Sequence, residues 1–252
     1  MKLNFVKYQG AGNDFVLLDA RQKLKVELTQ PLVAHLCDRH YGIGADGLMT
    51  LGAGTLDVDF SMRYFNCDGM ESTMCGNGGR AITRYANDLA LGGKVKKFHA
   101  VDGLHSAQIN DDQTISLQMI DIEHIEKIDG DFFVQSGSPH YIIVGQQYEL
   151  QRAIALRQKW NANVNFVQEI GEGQLSIRTF ERGVEAETLA CGTGATAAAV
   201  AIGALHGNSR QSYDLQALGG TLGVKWNCEN DCYRNVWLRG NAERVFAGEI
   251  EI

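Results

Sequence analysis

Apolar and polar residues alternate along much of the chain, which points to strands as the commoner element. Val58, Phe60, Met62 and Tyr64 fall two apart, as do Leu175, Ile177 and Thr179, the pattern of half-buried strands, and Phe15 to Leu18 form a short apolar run of the same kind. Helical spacing is rarer. Thr29 as N-cap and Pro31 in the first turn predict a helix with Leu32, Val33 and Leu36 on its inner face. A second helix is predicted over Glu149–Lys159. The run Ala195 to Ile202 is apolar on every side, as expected of a helix buried in a core, while Ala81, Ile82, Tyr85, Ala86 and Leu89 recur at helical spacing with Arg80 and Arg84 on another face.

Two stretches more than a hundred residues apart share one layout. Tyr64 to Gly78 and Thr179 to Gly194 each read as a strand, then a polar loop with Gly and Glu, then Cys-Gly-x-Gly opening a helix. A weaker echo links Gly12-Asn13-Asp14-Phe15-Val16 to Gly137-Ser138-Pro139-His140-Tyr141-Ile142. The chain therefore reads as a duplicated half-domain. No linker rich in Pro, Ser or Gly divides it, and glycine is abundant at 29 residues, so many positions need tight turns or close backbone approach.

Composition narrows the function. A formal charge of −7 with scattered Lys and Arg argues against nucleic-acid binding, the densest cluster being Lys94, Lys96 and Lys97, which reads as a solvated surface. With 44% apolar and 21% charged residues the chain can bury a core. No apolar run is long enough to span a membrane and no signal peptide opens the sequence, so a soluble cytoplasmic protein is expected. Six cysteines are too sparse for a disulfide scaffold. Cys37 and Cys67 read as small buried hydrophobes. Cys228 and Cys232 have no further His or Cys at ligand spacing, so no metal site is expected. Gly42 to Gly47 satisfies a dinucleotide fingerprint, as do Gly76 to Ala81 and Gly192 to Ala197 in its looser form, but none follows a strand in a βαβ unit.

The chemistry concentrates on Cys75 and Cys191. A helix start offers unpaired N–H groups and the positive end of the dipole, which bind an anion and favour a thiolate. One such thiol could serve covalent catalysis, redox sensing or nothing. Two, in duplicated units, could address one carbon from opposite sides, one removing a proton and the other returning one, with N–H groups stabilising the developing charge. His140, in a polar turn before an apolar run, is a candidate for lining that site.

These residues resemble the diaminopimelate epimerase family. The resemblance rests on Gly10 to Phe15, Arg39 to Asp46, Phe65 to Arg80, Asn163 to Phe166, Glu181 to Gly194, and Val245-Phe246-x-Gly248, and it covers nearly the whole length. It implies an α/β (α+β) fold of two pseudo-symmetric domains, each a mixed sheet wrapped around a central helix, with substrate in the cleft between them. Residues 1–115 would form the first half, 116–244 the second, and a strand at 245–252 would return to the first. It implies an isomerase without cofactor or metal, interconverting LL- and meso-diaminopimelate. Cys75 and Cys191 would be the acid/base pair, supported by His140 and Glu181. Gly76, Asn77, Gly192 and Thr193 would hold the carboxylate of the reacting centre. Asn66, Asn163, Glu181 and Arg182 would read the far end, with Asn13 also touching substrate. The expected partners are this small molecule and, in a homodimer, a second copy of the chain.

The sequence departs from the family pattern in places. Gly47 stands where some members carry a substrate-contacting Gln, Ser138 replaces the Asn usual before Pro-His, and Asn241 replaces a common Pro. The loop from Glu181 to Cys191 is one residue longer. Weaker or water-bridged contacts are expected at Ser138. The competing readings are a proline or hydroxyproline racemase on the same fold, disfavoured by Arg182, Asn66, Asn163 and Asn77, and a non-catalytic ligand-binding or redox paralogue.

Overall fold

The computed structural model describes residues 1–252, and the chain divides into two compact units, Met1–Leu117 with Asn241–Ile252, and Gln118–Gly240. In chain order the first contains β1 (Lys2–Gly10), β2 (Asn13–Ala20), α1 (Gln30–Cys37), β3 (Gly47–Ala53), β4 (Phe60–Asn66), β5 (Glu71–Ser72), α2 (Gly76–Asp88), β6 (Val95–Ala100), β7 (Gly103–Ile109) and β8 (Ile115–Gln118). The second contains β9 (Ile125–Ile128), β10 (Asp131–Gln135), β11 (Pro139–Val144), α3 (Leu150–Trp160), β12 (Asn163–Gly171), β13 (Gln174–Glu181), β14 (Ala186–Thr188), α4 (Gly192–Leu205), β15 (Ser212–Ala217), β16 (Gly220–Glu229) and β17 (Cys232–Gly240). The last strand, β18 (Glu243–Glu251), pairs antiparallel with β1.

Each unit has the same connectivity. In the first, β1 and β2 form an antiparallel hairpin, β2 runs parallel to β3, β3 pairs antiparallel with β4, and β4 pairs with the short β5 and, in parallel, with β6. Antiparallel β6, β7 and β8 continue that sheet. In the second, β10, β11, β12, β13, β14, β15, β16 and β17 repeat the roles of β1 to β8, and β9 on β10 repeats that of β18 on β1. The parallel steps β2–β3 and β11–β12 are bridged by α1 and α3, and the steps β4–β6 and β13–β15 by α2 and α4, as crossover geometry demands.

A single helix fills each sheet. α2 packs against β1, β2, β3, β4, β7 and β18, and α4 against β10 to β13 and β15 to β17. The all-apolar face pattern of α4 follows from this enclosure, since every residue from Gly194 to Gly203 is buried. Its close packing relies on Gly203, where a Cβ would lie 2.5 Å from the Trp226 ring. α3 buries only Ala153 completely and lies on the outside of its sheet. It begins one residue later than the sequence suggests, with Glu149 as N-cap. Thr29 caps α1 by position, without a side-chain capping bond.

Three sequence expectations need correction. Lys96 is not part of a solvated cluster with Lys94 and Lys97: it is buried, its ammonium donating to Leu91 O and to Gly93 O at 2.9 Å. Cys67 is exposed, in the turn between β4 and β5, because the strand has already ended at Asn66; only Cys37 is a buried thiol of the kind expected. Arg80, placed by helical spacing on a polar face, is completely buried, because its guanidinium folds back to donate to Gly76 O (3.1 Å) and Asn77 Oδ1 (2.8 Å).

Candidate active site

Both predicted cysteines are N-caps. Cys75 precedes α2 in extended backbone and its Sγ accepts the N–H of Gly78 at 3.2 Å; Cys191 precedes α4 and its Sγ accepts the N–H of Gly194 at 3.4 Å. Sulfur thus takes the place of the usual capping oxygen, receiving a backbone donor and the positive end of a buried helix. The glycines three residues on are needed sterically. A Cβ on Gly78 would meet Cys75 Sγ at 3.1 Å and Met49 Sδ at 3.3 Å, and one on Gly194 would meet Asn165 Oδ1 at 2.4 Å.

In the first unit, Cys75, Gly76 and Asn77 open α2 beside Asn13 at the turn end of the β1–β2 hairpin. Gly10, the register partner of Asn13, approaches so closely that a Cβ on it would stand 3.0 Å from Asn77 O. Beneath the thiol lies an apolar bed of Phe15, Met49 and Tyr64, with Phe15 and Tyr64 in edge-to-face contact at 6.0 Å. Asn66 lies two residues beyond Tyr64 on the same face of β4 and pairs in register with Gly47. The Tyr64 ring covers Gly47, since a Cβ there would be 2.6 Å from Cε2 and from Phe65 O. Burial raises the Tyr64 pKa, and the neighbouring Cys75 raises it further. Arg80 contributes a buried cation one turn into α2. Burial pushes its pKa down to about 10, Cys75 works in the opposite direction, and its Nε has no hydrogen-bond partner.

The second unit collects His140, Asn163, Glu181, Arg182, Cys191, Gly192 and Thr193, on a polar bed. Thr179 Oγ1 donates to Asn165 Oδ1 (2.9 Å), and Asn165 Nδ2 donates to His140 Nδ1 (3.0 Å) and faces Tyr141 O (3.4 Å). An imidazole accepting at Nδ1 carries its proton on Nε2, which lies 2.9 Å from Thr193 Oγ1 and 3.0 Å from Ser138 Oγ. Burial depresses the His140 pKa to about 3, so the ring is neutral. Thr193 Oγ1 in turn lies 3.4 Å from Cys191 Sγ. Glu181, its pKa raised by burial, is hydrogen-bonded by the Thr188 hydroxyl and the Cys191 thiol. Asn163 accepts the Arg182 N–H at 2.9 Å and donates to Ser138 Oγ at 3.1 Å. Ser138 therefore makes direct contacts to His140, Asn163 and Thr193. The Arg182 guanidinium donates to Asn161 O at 3.0 Å.

Sequence reading missed Asn165, Thr179 and Arg80 as parts of these clusters. The signal for Thr179 was a polar residue at an inward position of an alternating strand, and for Asn165 its two-residue spacing from Asn163.

The chain matches the family model described as diaminopimelate epimerase over residues 5–125 and 132–245. It is 42% identical to a diaminopimelate epimerase of Flavobacterium psychrophilum, with 97% of this chain and 98% of that one covered. It is 33% identical to one of Aquifex aeolicus, with 98% of each covered. Among solved structures, a phenazine biosynthesis protein of the PhzF family from Bacillus anthracis superposes with a TM-score of 0.78 at 15% identity over the full length of both chains. A hydroxyproline epimerase from Agrobacterium vitis superposes with a TM-score of 0.68 at 13% identity, covering 99% of this chain and 92% of that one. At such identities these two share the fold alone. With its doubled topology, its paired cysteine caps and sequence matches that run nearly end to end, the chain belongs to the diaminopimelate epimerase family.

Proposed function

We propose that the protein interconverts LL- and meso-diaminopimelate by proton transfer between two thiols, with neither cofactor nor metal. The observation that carries this reading is the repeated cap, in which each helix start offers one sulfur and a set of backbone N–H groups to the same kind of ligand. The N–H groups of Gly76, Asn77, Gly192 and Thr193 would hold the carboxylate of the reacting centre. One cysteine, as thiolate, removes the α-proton; the electron pair left on carbon is stabilised by the N–H dipoles; the other cysteine, as thiol, delivers its proton to the opposite face and becomes the thiolate. The enzyme ends with its two protonation states exchanged, so the reverse reaction uses the same groups. Glu181 and neutral His140 support the Cys191 side through the contacts described above.

The far end of diaminopimelate is a second amino acid. Arg182 offers a guanidinium to its carboxylate, while Asn66 and Asn163 offer amides. No helix is long and apolar enough to cross a membrane, and a cytoplasmic homodimer completes the reading.

The test is chiral analysis of LL-diaminopimelate after incubation in deuterated water. Formation of the meso isomer with one solvent deuterium at the inverted α-carbon is expected without added pyridoxal phosphate or metal. Cys75→Ala and Cys191→Ala should each lose at least ~10²-fold in kcat. Turnover of L-proline in place of diaminopimelate, or full activity of either variant, would overturn the proposal.

A further inference from the structure

We propose that Asp46 is a positioning residue that fixes which end of the Asn13 carboxamide faces the ligand, making Asn13 an acceptor for the ammonium group of the reacting centre. This rests on the amino-acid epimerase reading above and extends it to a residue with no role so far.

Asn13 opens β2 and Asp46 immediately precedes β3; the parallel pairing of Phe15 with Gly47 brings them side by side. Asn13 Nδ2 donates to Asp46 Oδ2 at 2.7 Å, and the same oxygen accepts the Asp14 N–H at 3.2 Å. Asp46 Oδ1 accepts from Arg39 at 2.7 Å, while the Arg39 fork also grips Asp14 at 2.8 and 3.1 Å. Lys7, almost fully buried, stands 2.8 Å from Asp14 and bonds Gly44 O. Burial would raise the Asp14 pKa, but hydrogen bonds from Arg39 and Lys7 outweigh it and hold the carboxyl at about 2. Asp46 is therefore tied into a braced lattice of two carboxylates and two cations.

The orientation of Asn13 follows from this lattice. A carboxylate accepts hydrogen bonds and cannot donate them. A reversed amide would set two acceptor oxygens 2.7 Å apart, so the nitrogen must face Asp46 and Oδ1 must face the other way. Asn13 lies beside the first turn of α2, through the contact of its register partner Gly10 with Asn77. In an α-amino acid the ammonium sits one carbon from the carboxylate, so an acceptor oxygen next to carboxylate-binding N–H groups is placed to receive it. The same unit turns Asn77 the opposite way, its Oδ1 held by the Arg80 guanidinium at 2.8 Å. Two asparagines of like composition thus acquire opposite polarity from the charges behind them.

The test compares wild-type protein with Asp46→Asn, in which either amide orientation is satisfied. Two constants are read in each protein: KM for diaminopimelate, and Ki for pimelate, which keeps both carboxylates and lacks both ammonium groups. Asp46→Asn should raise KM about tenfold with kcat within about threefold of wild type, and should lower the ratio of Ki to KM about tenfold. An unchanged ratio, or a common loss of kcat, both affinities and thermal stability, would overturn the inference and mark Asp46 as merely structural. Absence of wild-type turnover would instead remove the epimerase reading. A second measurement needs no activity and leaves Asp46 in place. The Asn13 side-chain amide, identified by its loss from the NMR spectrum of Asn13→Asp, should exchange its nitrogen-bound protons slowly in wild type; exchange as fast as in a free asparagine would overturn the inference.

Discussion

His140 is strongly perturbed by its surroundings. Its pKa falls from the ordinary histidine range to about 3 because the ring is buried. A group whose folded pKa lies below its unfolded value contributes stability that is present above about pH 6.5 and lost as pH falls, because only the unfolded chain takes up the proton. Between pH 6.5 and 4 this residue should cost about 1 kcal/mol of stability per pH unit. The thermal midpoint of wild type should therefore fall more steeply over that window than that of His140→Gln, and parallel slopes would contradict the neutral ring. Arg80 gives a second residue-level expectation. As a buried cation next to Cys75 it favours the thiolate, so Arg80→Met should slow alkylation of Cys75 relative to Cys191 about tenfold at neutral pH, with Arg80→Lys intermediate. Mass-spectrometric rates for the two peptides in one sample provide the comparison. The importance of the cysteines was legible because their spacing from Gly is repeated. The burial of Arg80 was not, because helical periodicity assigns a face and cannot show a long side chain turning back on its own helix.

At the scale of elements, the two helix starts match while the beds below them differ. Met49 pairs with Tyr64 and follows Phe15 on the neighbouring strand, just as Asn165 pairs with Thr179 and follows His140. The duplicated layout thus sets Phe15, Met49 and Tyr64 under one thiol and His140, Asn165 and Thr179 under the other. Sequence comparison of the two halves finds the Cys-Gly-x-Gly turns but not this exchange, because the corresponding positions share a strand register and no residue type. The consequence is measurable at the third residue after each cysteine. Gly194→Ala would drive a methyl into Asn165 Oδ1 and His140, a rigid buried network, and should cost roughly 1–3 kcal/mol together with most of the activity. Gly78→Ala meets sulfur atoms at 3.1 and 3.3 Å, one of them on a flexible methionine, and should cost less. Denaturant midpoints of the two variants decide the order.

For the whole molecule, the alternation of strands and the repeat made the two-fold plan readable, and the parallel steps through α1 and α3 follow from chain geometry. Which strand finishes which sheet is a matter of long-range pairing that local pattern does not encode. β18 pairs with β1 from Lys2 to Gln9, with Phe246 packed edge-on against Phe5 at 5.8 Å. Deleting residues 241–252 should therefore speed amide hydrogen exchange in β1 far more than in β11 or β12, and equal protection would show the strand to be dispensable. The same pairing bears on synthesis. The second unit is one uninterrupted segment and has all its strands once Gly240 has left the ribosome. The first, although translated earlier, must keep one edge of its sheet unzipped until residues 241–252 emerge, so the half begun first is completed after the other.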